Sequence, residues 1–226
     1  MTSQAFDSDH RAHSWWHRPE PYTRVEVICD ALVHIVGLAI AAGMGGVLMA
    51  AAGRSTITQS GALVVYVLTL VTTLLISLGF NMVRVSPAKM FLARLDQAAI
   101  FLLIAGTYTP LLALLSGNRA SDFLLVGIWS AAAVGSALKL AIPQHFGRLA
   151  LPLYGAIGWS GVLIFNSLAA TLPAGTLALL LGGGIAYSTG IIFHVWDRLR
   201  FHNVIWHCFV VLGATLHLWA VLIAWS

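Results

Sequence analysis

Charge is what this chain has least of: 9% of its 226 residues are Asp, Glu, Lys or Arg, against 59% that are hydrophobic. Soluble domains carry roughly 25% charged residues. There is too little charge here to coat a water-facing surface, so lipid must be the main solvent. Lysine is nearly missing, with only Lys89 and Lys139. A retinal Schiff base needs a lysine in the last span, and both of these are expected in connecting loops, which excludes a retinal protein. Cysteine stops at Cys29 and Cys208, each inside an apolar run; a structural disulfide is not expected there, and two cysteines alone do not make a metal site. Period-two alternation is missing, which excludes a lipid-facing barrel. No internal repeat is convincing, which weighs against an inverted-repeat transporter. No cleavable signal is recognisable either, since the first apolar run follows about 25 polar residues and is too long for a signal h-region.

What is abundant is long apolar runs. Seven of them, near 27–52, 61–83, 97–115, 123–142, 149–170, 175–195 and 204–225, are each long enough for ~30 Å of hydrocarbon. Backbone groups facing lipid must bond internally, so these runs are helices. The expected fold is all-α, a seven-helix transmembrane bundle over 27–226. Residues 1–26 precede it as a tail, read either as solvated or as lying along the inner membrane surface through Trp15 and Trp16. Basic residues set the orientation. Arg11, Arg18, Arg24, Arg84, Lys89, Arg94, Lys139, Arg148, Arg198 and Arg200 fall on one side, and only Arg54 and Arg119 on the other. Short-loop Lys and Arg stay cytoplasmic, so the N-terminus is expected inside and the C-terminus outside. The positive charge therefore reports topology, with membrane lipids as partners and no nucleic acid. G-protein coupling is not expected, because the orientation is inverted relative to that class.

Polar residues sort to one depth. Asp30 and His34 share a face of the first helix at i, i+4. Ser77 and Asn81 close the second helix at the same spacing, Asp96 opens or caps the third, and Asn203 and His207 begin the seventh. His194, beside Trp196 and Arg198, reads as interfacial, and His202 as a loop residue at the rim of the same polar pocket. His217, counted with the same polar pocket, lies ten residues beyond His207, ~15 Å deeper along the helix, where a hydrogen bond to another helix is its expected task. Intramembrane ionisable groups are costly and usually face the bundle interior, paired with one another. The opposite half of the bundle is almost entirely Leu, Ala, Val and Gly.

Three strings carry a family resemblance. "DALVHIVGL" (30–38), "SLGFN" (77–81) with "RLDQAAIFLLIAGTYTP" (94–110), and "GGGIAYSTGIIFHVWDRLRFHNVIWHCFVVLGATLH" (182–217) resemble signatures of the haemolysin-III-related membrane proteins. These sit in the progestin and adipoQ receptor superfamily, which alkaline ceramidases resemble more distantly. The resemblance implies a seven-helix bundle with a cytoplasmic polar pocket. In superfamily members that pocket holds zinc on one His of the second helix and two of the seventh, with an Asp of the third helix on the metal-bound water. This chain departs at the ligands: Asn81 and Asn203 stand at two of the three His positions, while Ser77, Asp96 and His207 are retained. Asn competes poorly with imidazole for zinc. A His34, His207 and Asp96 site is one way zinc could still bind; without zinc, Asn81, Asn203, His207 and Asp96 are expected to form a hydrogen-bond network able to carry protons.

Three functions follow. Regulation of membrane state or lipid homeostasis comes first. A zinc-dependent lipid hydrolase comes second, with Asp96 positioning water and Ser77 steadying an oxyanion. A pore-forming cytolysin comes last, because a pore needs a polar stripe through the full thickness.

Overall fold

The structure is a computed structural model, and it describes residues 22–52, 57–84 and 86–225. Trp15 and Trp16, which carry the membrane-surface reading of the tail, lie outside the described residues. Among those residues there are helices and no strands. They are α1 (Arg24–Ala52), α2 (Ile57–Met82), α3 (Pro87–Ala113), α4 (Arg119–Ala141), α5 (Pro143–Gly158), a 3₁₀ turn (Ser160–Ile164), α6 (Phe165–Thr171), α7 (Ala174–Val195) and α8 (His202–Ala224). Seven spans are long and apolar enough to cross a membrane, the fifth running over Leu149–Thr171 through α5, the 3₁₀ turn and α6.

That fifth span is broken near Trp159, and the freed backbone groups find a partner on α3. The Tyr108 hydroxyl donates to the Gly158 carbonyl at 2.7 Å and accepts from the Gly161 amide at 2.8 Å. Irregular backbone at membrane depth is tolerated where protein satisfies it in this way.

Two expectations need correction. The third helix starts at Pro87, about ten residues before the run read from hydropathy. Ser86 is its N-cap, accepting from the Lys89 amide at 3.2 Å, and Pro87 occupies the first helical position. Asp96 therefore lies almost three turns inside α3 and caps nothing. The charges that made 87–96 read as a loop are used at helix ends. Lys89 donates to the carbonyls of Phe80 and Val83 at 3.0 and 2.9 Å, groups that the end of α2 leaves without helical partners. The second correction concerns the lysines: neither is in a loop. Lys139 lies in α4, 2% exposed, with Nζ 2.5 Å from the Gln97 Oε1 of α3. α8 itself contains no lysine.

Each span reverses direction, so the starts of α1, α3 and α8 and the ends of α2, α4 and α7 share one end of the bundle. α1 packs between α2 and α8, α2 against α3, α3 against α4, and α8 against α7; α3 also reaches α8. The core away from that end is built on Leu48, Leu63, Tyr66, Leu70, Leu74, Leu218 and Val221. A second cluster, around Phe101, Ala105, Ile128 and Ala132, joins α3 to α4. Leu32, Val36, Leu68, Phe123, Leu163, Ile192 and Trp219 point outward, the face that lipid covers in a spanning protein.

Candidate metal-binding chamber

The site grows from two parallel helices that start side by side. On α1, Glu26, Asp30 and His34 are spaced four apart and stack on one face. All three are buried, at 6%, 3% and 1% exposure. On α8, Asn203 and His207 repeat the spacing and face them.

His34 Nδ1 lies 2.8 Å from the Asp30 backbone carbonyl. A carbonyl can only accept, so Nδ1 carries the proton and Nε2 is left as the lone-pair nitrogen. His207 Nδ1 lies 2.5 Å from Asp30 Oδ1; an ionised Asp30 accepts there, which again leaves Nε2 with the lone pair. The two imidazoles meet edge to face, centroids 4.4 Å apart. Asp30 Oδ2 is buried and accepts no hydrogen bond. His34 Nδ1, 3.5 Å from it, has already given its proton to the backbone.

Buried carboxylate oxygens are expensive to leave unsatisfied, so Oδ2 points to a missing cation or donor. Donor atoms of Asp30, His34 and His207 lie within 4.8 Å of one another. Tetrahedral zinc with bonds of about 2.0–2.2 Å sets its ligands ~3.3 Å apart, so the imidazoles would have to turn to present their lone-pair nitrogens to a metal shared with Asp30. The donor chemistry fits: two imidazoles and a carboxylate are a zinc set, and an imidazole whose other nitrogen donates to a carbonyl or carboxylate is the usual arrangement around a bound metal.

The remaining polar residues form a rim. Asn203 Nδ2 donates to Asn81 Oδ1 at 3.1 Å and lies 3.5 Å from Asp30 Oδ1. Asn81 Nδ2 donates back to the Ser77 carbonyl at 2.8 Å. The Ser77 side chain faces Asp96 across the α2–α3 seam, and Asp96 lies near His207 and Asp30. The structure thus brings together Asp30, His34, Ser77, Asn81, Asp96, Asn203 and His207. It puts Asp30, not Asp96, between the imidazoles.

His202 and His217 stand apart from this group. His202 Nδ1 is 3.2 Å from the Phe193 carbonyl, and its ring stacks on Tyr22. His217 Nε2 is 3.1 Å from the Leu180 carbonyl of α7, against Tyr187. His194 is exposed and beside Trp206. Both cysteines are free.

Hydropathy had hidden three further polar groups, Gln97, Lys139 and Tyr154, the last donating to the Gln97 carbonyl at 2.6 Å. Their only sequence signal is a lysine and a glutamine at the ends of apolar runs.

Residues 25–218 match the family described as Haemolysin-III related. Over 203 residues the chain is 30% identical to the Hemolysin-3 homolog of Bacillus subtilis (strain 168), covering 89% of this chain and 95% of that one. Over 198 residues it is 31% identical to Hemolysin-3 of Bacillus cereus, covering 87% and 90%. The chain belongs to the haemolysin-III-related family. The wider superfamily is also reached. The human Monocyte to macrophage differentiation factor is 29% identical over 127 residues, 56% of this chain and 52% of that one. No solved structure matches the chain. As a haemolysin-III-related protein with seven apolar spans, it is an integral membrane protein.

Proposed function

We propose that this haemolysin-III-type protein regulates membrane state or lipid homeostasis through a divalent transition metal, zinc first, held by Asp30, His34 and His207. The observation that carries this reading is the buried Asp30 Oδ2, which accepts no hydrogen bond beside two imidazoles whose Nδ1 positions are already committed. A cation there would tie α1 to α8, and its loss would free the seam to repack; that coupling is the regulatory step. The distribution of basic residues supports a cytoplasmic position for the chamber in a bacterial inner membrane. Metal analysis of chelator-free, detergent-purified protein tests the reading. About one zinc per chain is expected, falling toward none in Asp30→Ala and in His34→Ala/His207→Ala. Membrane order in cells carrying those variants should shift with no lipid turned over. Zinc-free protein, or unchanged membranes in both variants, would overturn it.

A second reading, zinc-dependent hydrolysis of lipid amides or esters, is favoured by the pairing of Ser77 and Asp96 at the chamber rim. Bound zinc supplies Lewis acidity and a water that ionises near neutral pH. Asp96 would hold or take a proton from water, and Ser77 would orient the Asp96 carboxylate. Turnover of a long-chain amide that disappears in Asp96→Ala while zinc stays bound would promote this reading over the first.

A further inference from the structure

The triad depends on how the first turns of α1 and α8 are held, and one buried carboxylate touches both. Glu26 Oε2 accepts from the Thr23 amide at 2.9 Å and from the Thr23 hydroxyl at 2.8 Å, and the Glu26 amide donates to Thr23 Oγ1 at 3.3 Å. This is a capping box at the start of α1. The other oxygen, Oε1, accepts from the backbone amide of Phe201 at 3.1 Å, immediately before α8. Phe201 is the N-cap of α8, offers no side-chain cap, and sits in the left-handed region at φ 61°, ψ 12°. An L residue other than glycine adopts that conformation at a cost, so something outside the turn must hold it. Glu26 does so, with a negative charge at two positive helix ends. Beside it, Tyr22 stacks on His202, the first residue of α8.

We propose that Glu26 is a positioning residue whose carboxylate joins the starts of α1 and α8 and so sets the register in which Asp30 meets His207. Asp30 is one turn beyond Glu26 on α1, and His207 is six residues beyond Phe201 on α8. A slip or rotation at the joint is therefore transmitted through one turn of α1 and fewer than two turns of α8 to the 2.5 Å contact. The family resemblance gives Glu26 no ligand role, and it is not among the donors of the triad. The consequence for metal affinity rests on the metal-binding reading above; the consequence for the Asp30–His207 contact does not.

The test uses the full chain in detergent with two readouts. One is zinc affinity by competition with a chromophoric chelator. The other is the low-field proton resonance of His207 Nδ1 in histidine-labelled protein. Glu26→Ala and Glu26→Gln are expected to weaken zinc binding ~10–100-fold, the range seen when groups supporting metal ligands are removed, and to shift the Nδ1 resonance. Glu26→Ala/Phe201→Gly guards against simple unfolding, since glycine accepts the left-handed turn. It should recover thermal stability while leaving the resonance displaced. An unshifted resonance in Glu26→Ala, or its full recovery with glycine at 201, would overturn the proposal. Wild-type protein that binds no zinc but whose resonance moves with Glu26 would remove the metal reading and leave the joint standing.

Discussion

Asn81 and Asn203 touch each other at 3.1 Å, at the two positions where the family resemblance implies histidine. Restoring imidazoles there places nitrogen ligands beside those already present. Asn81→His/Asn203→His should raise zinc affinity at least about tenfold over the wild type, since imidazole outcompetes a neutral amide oxygen; chelator competition measures it, and an unchanged affinity would mean that the rim does not face the metal. Tyr66 gives the opposite kind of test. It is 1% exposed, and its hydroxyl has no hydrogen-bond partner. An unsatisfied buried hydroxyl costs about 1–3 kcal/mol, so Tyr66→Phe should leave thermal stability unchanged or raise it. A clear loss of stability would mean that the hydroxyl is bonded in the membrane. At this scale the sequence exposed His34 and His207 through their polarity alone. It ranked Asp96 above Asp30 as third partner, because spacing along a helix says which residues share a face, not which neighbouring helix that face meets.

Helix–helix contacts in lipid depend on close approach more than on hydrophobic driving force, and the α3–α4 pair shows the requirement. A Cβ on Gly135 would stand 2.6–2.8 Å from three atoms of the Phe101 ring, and Phe101 is 1% exposed with nowhere to turn. Gly135→Ala should therefore cost about 1–3 kcal/mol, read as a lower unfolding temperature in detergent. Gly127→Ala, with nothing within 4 Å of its Cβ, is the control and should cost far less. The small-residue spacing in the sequence signalled close packing in general. The start of α3 was not legible in the same way, because Lys89 and Arg94 look like loop charges until the ends of α2 and α4 lie beside them. Arg94 reaches the Leu140 carbonyl at 3.5 Å, as Lys89 reaches the end of α2.

Across the whole molecule, the polar groups of the chamber lie at one end, and the opposite half is mostly leucine-rich core. Tyr66, Thr176 and His217 interrupt that half without forming a stripe through it. Purified protein in planar bilayers should accordingly give no discrete conductance steps; regular unitary currents would restore the pore reading. The expected orientation has its own check. Reporter fusions should place the N-terminus in the cytoplasm and the C-terminus outside, and the reverse result would move the chamber to the outer leaflet.

Composition and run length determined that this chain spans a membrane seven times as helices, because hydrocarbon permits no other use for such long apolar runs and the backbone must satisfy itself within each one. Motif strings carried the family. Only the tertiary structure decided which carboxylate stands between the histidines, that Lys139 is buried on Gln97, and that Glu26 joins two helix starts 175 residues apart in sequence. Those contacts depend on which faces of separate helices meet, and hydropathy averages that information away within each span.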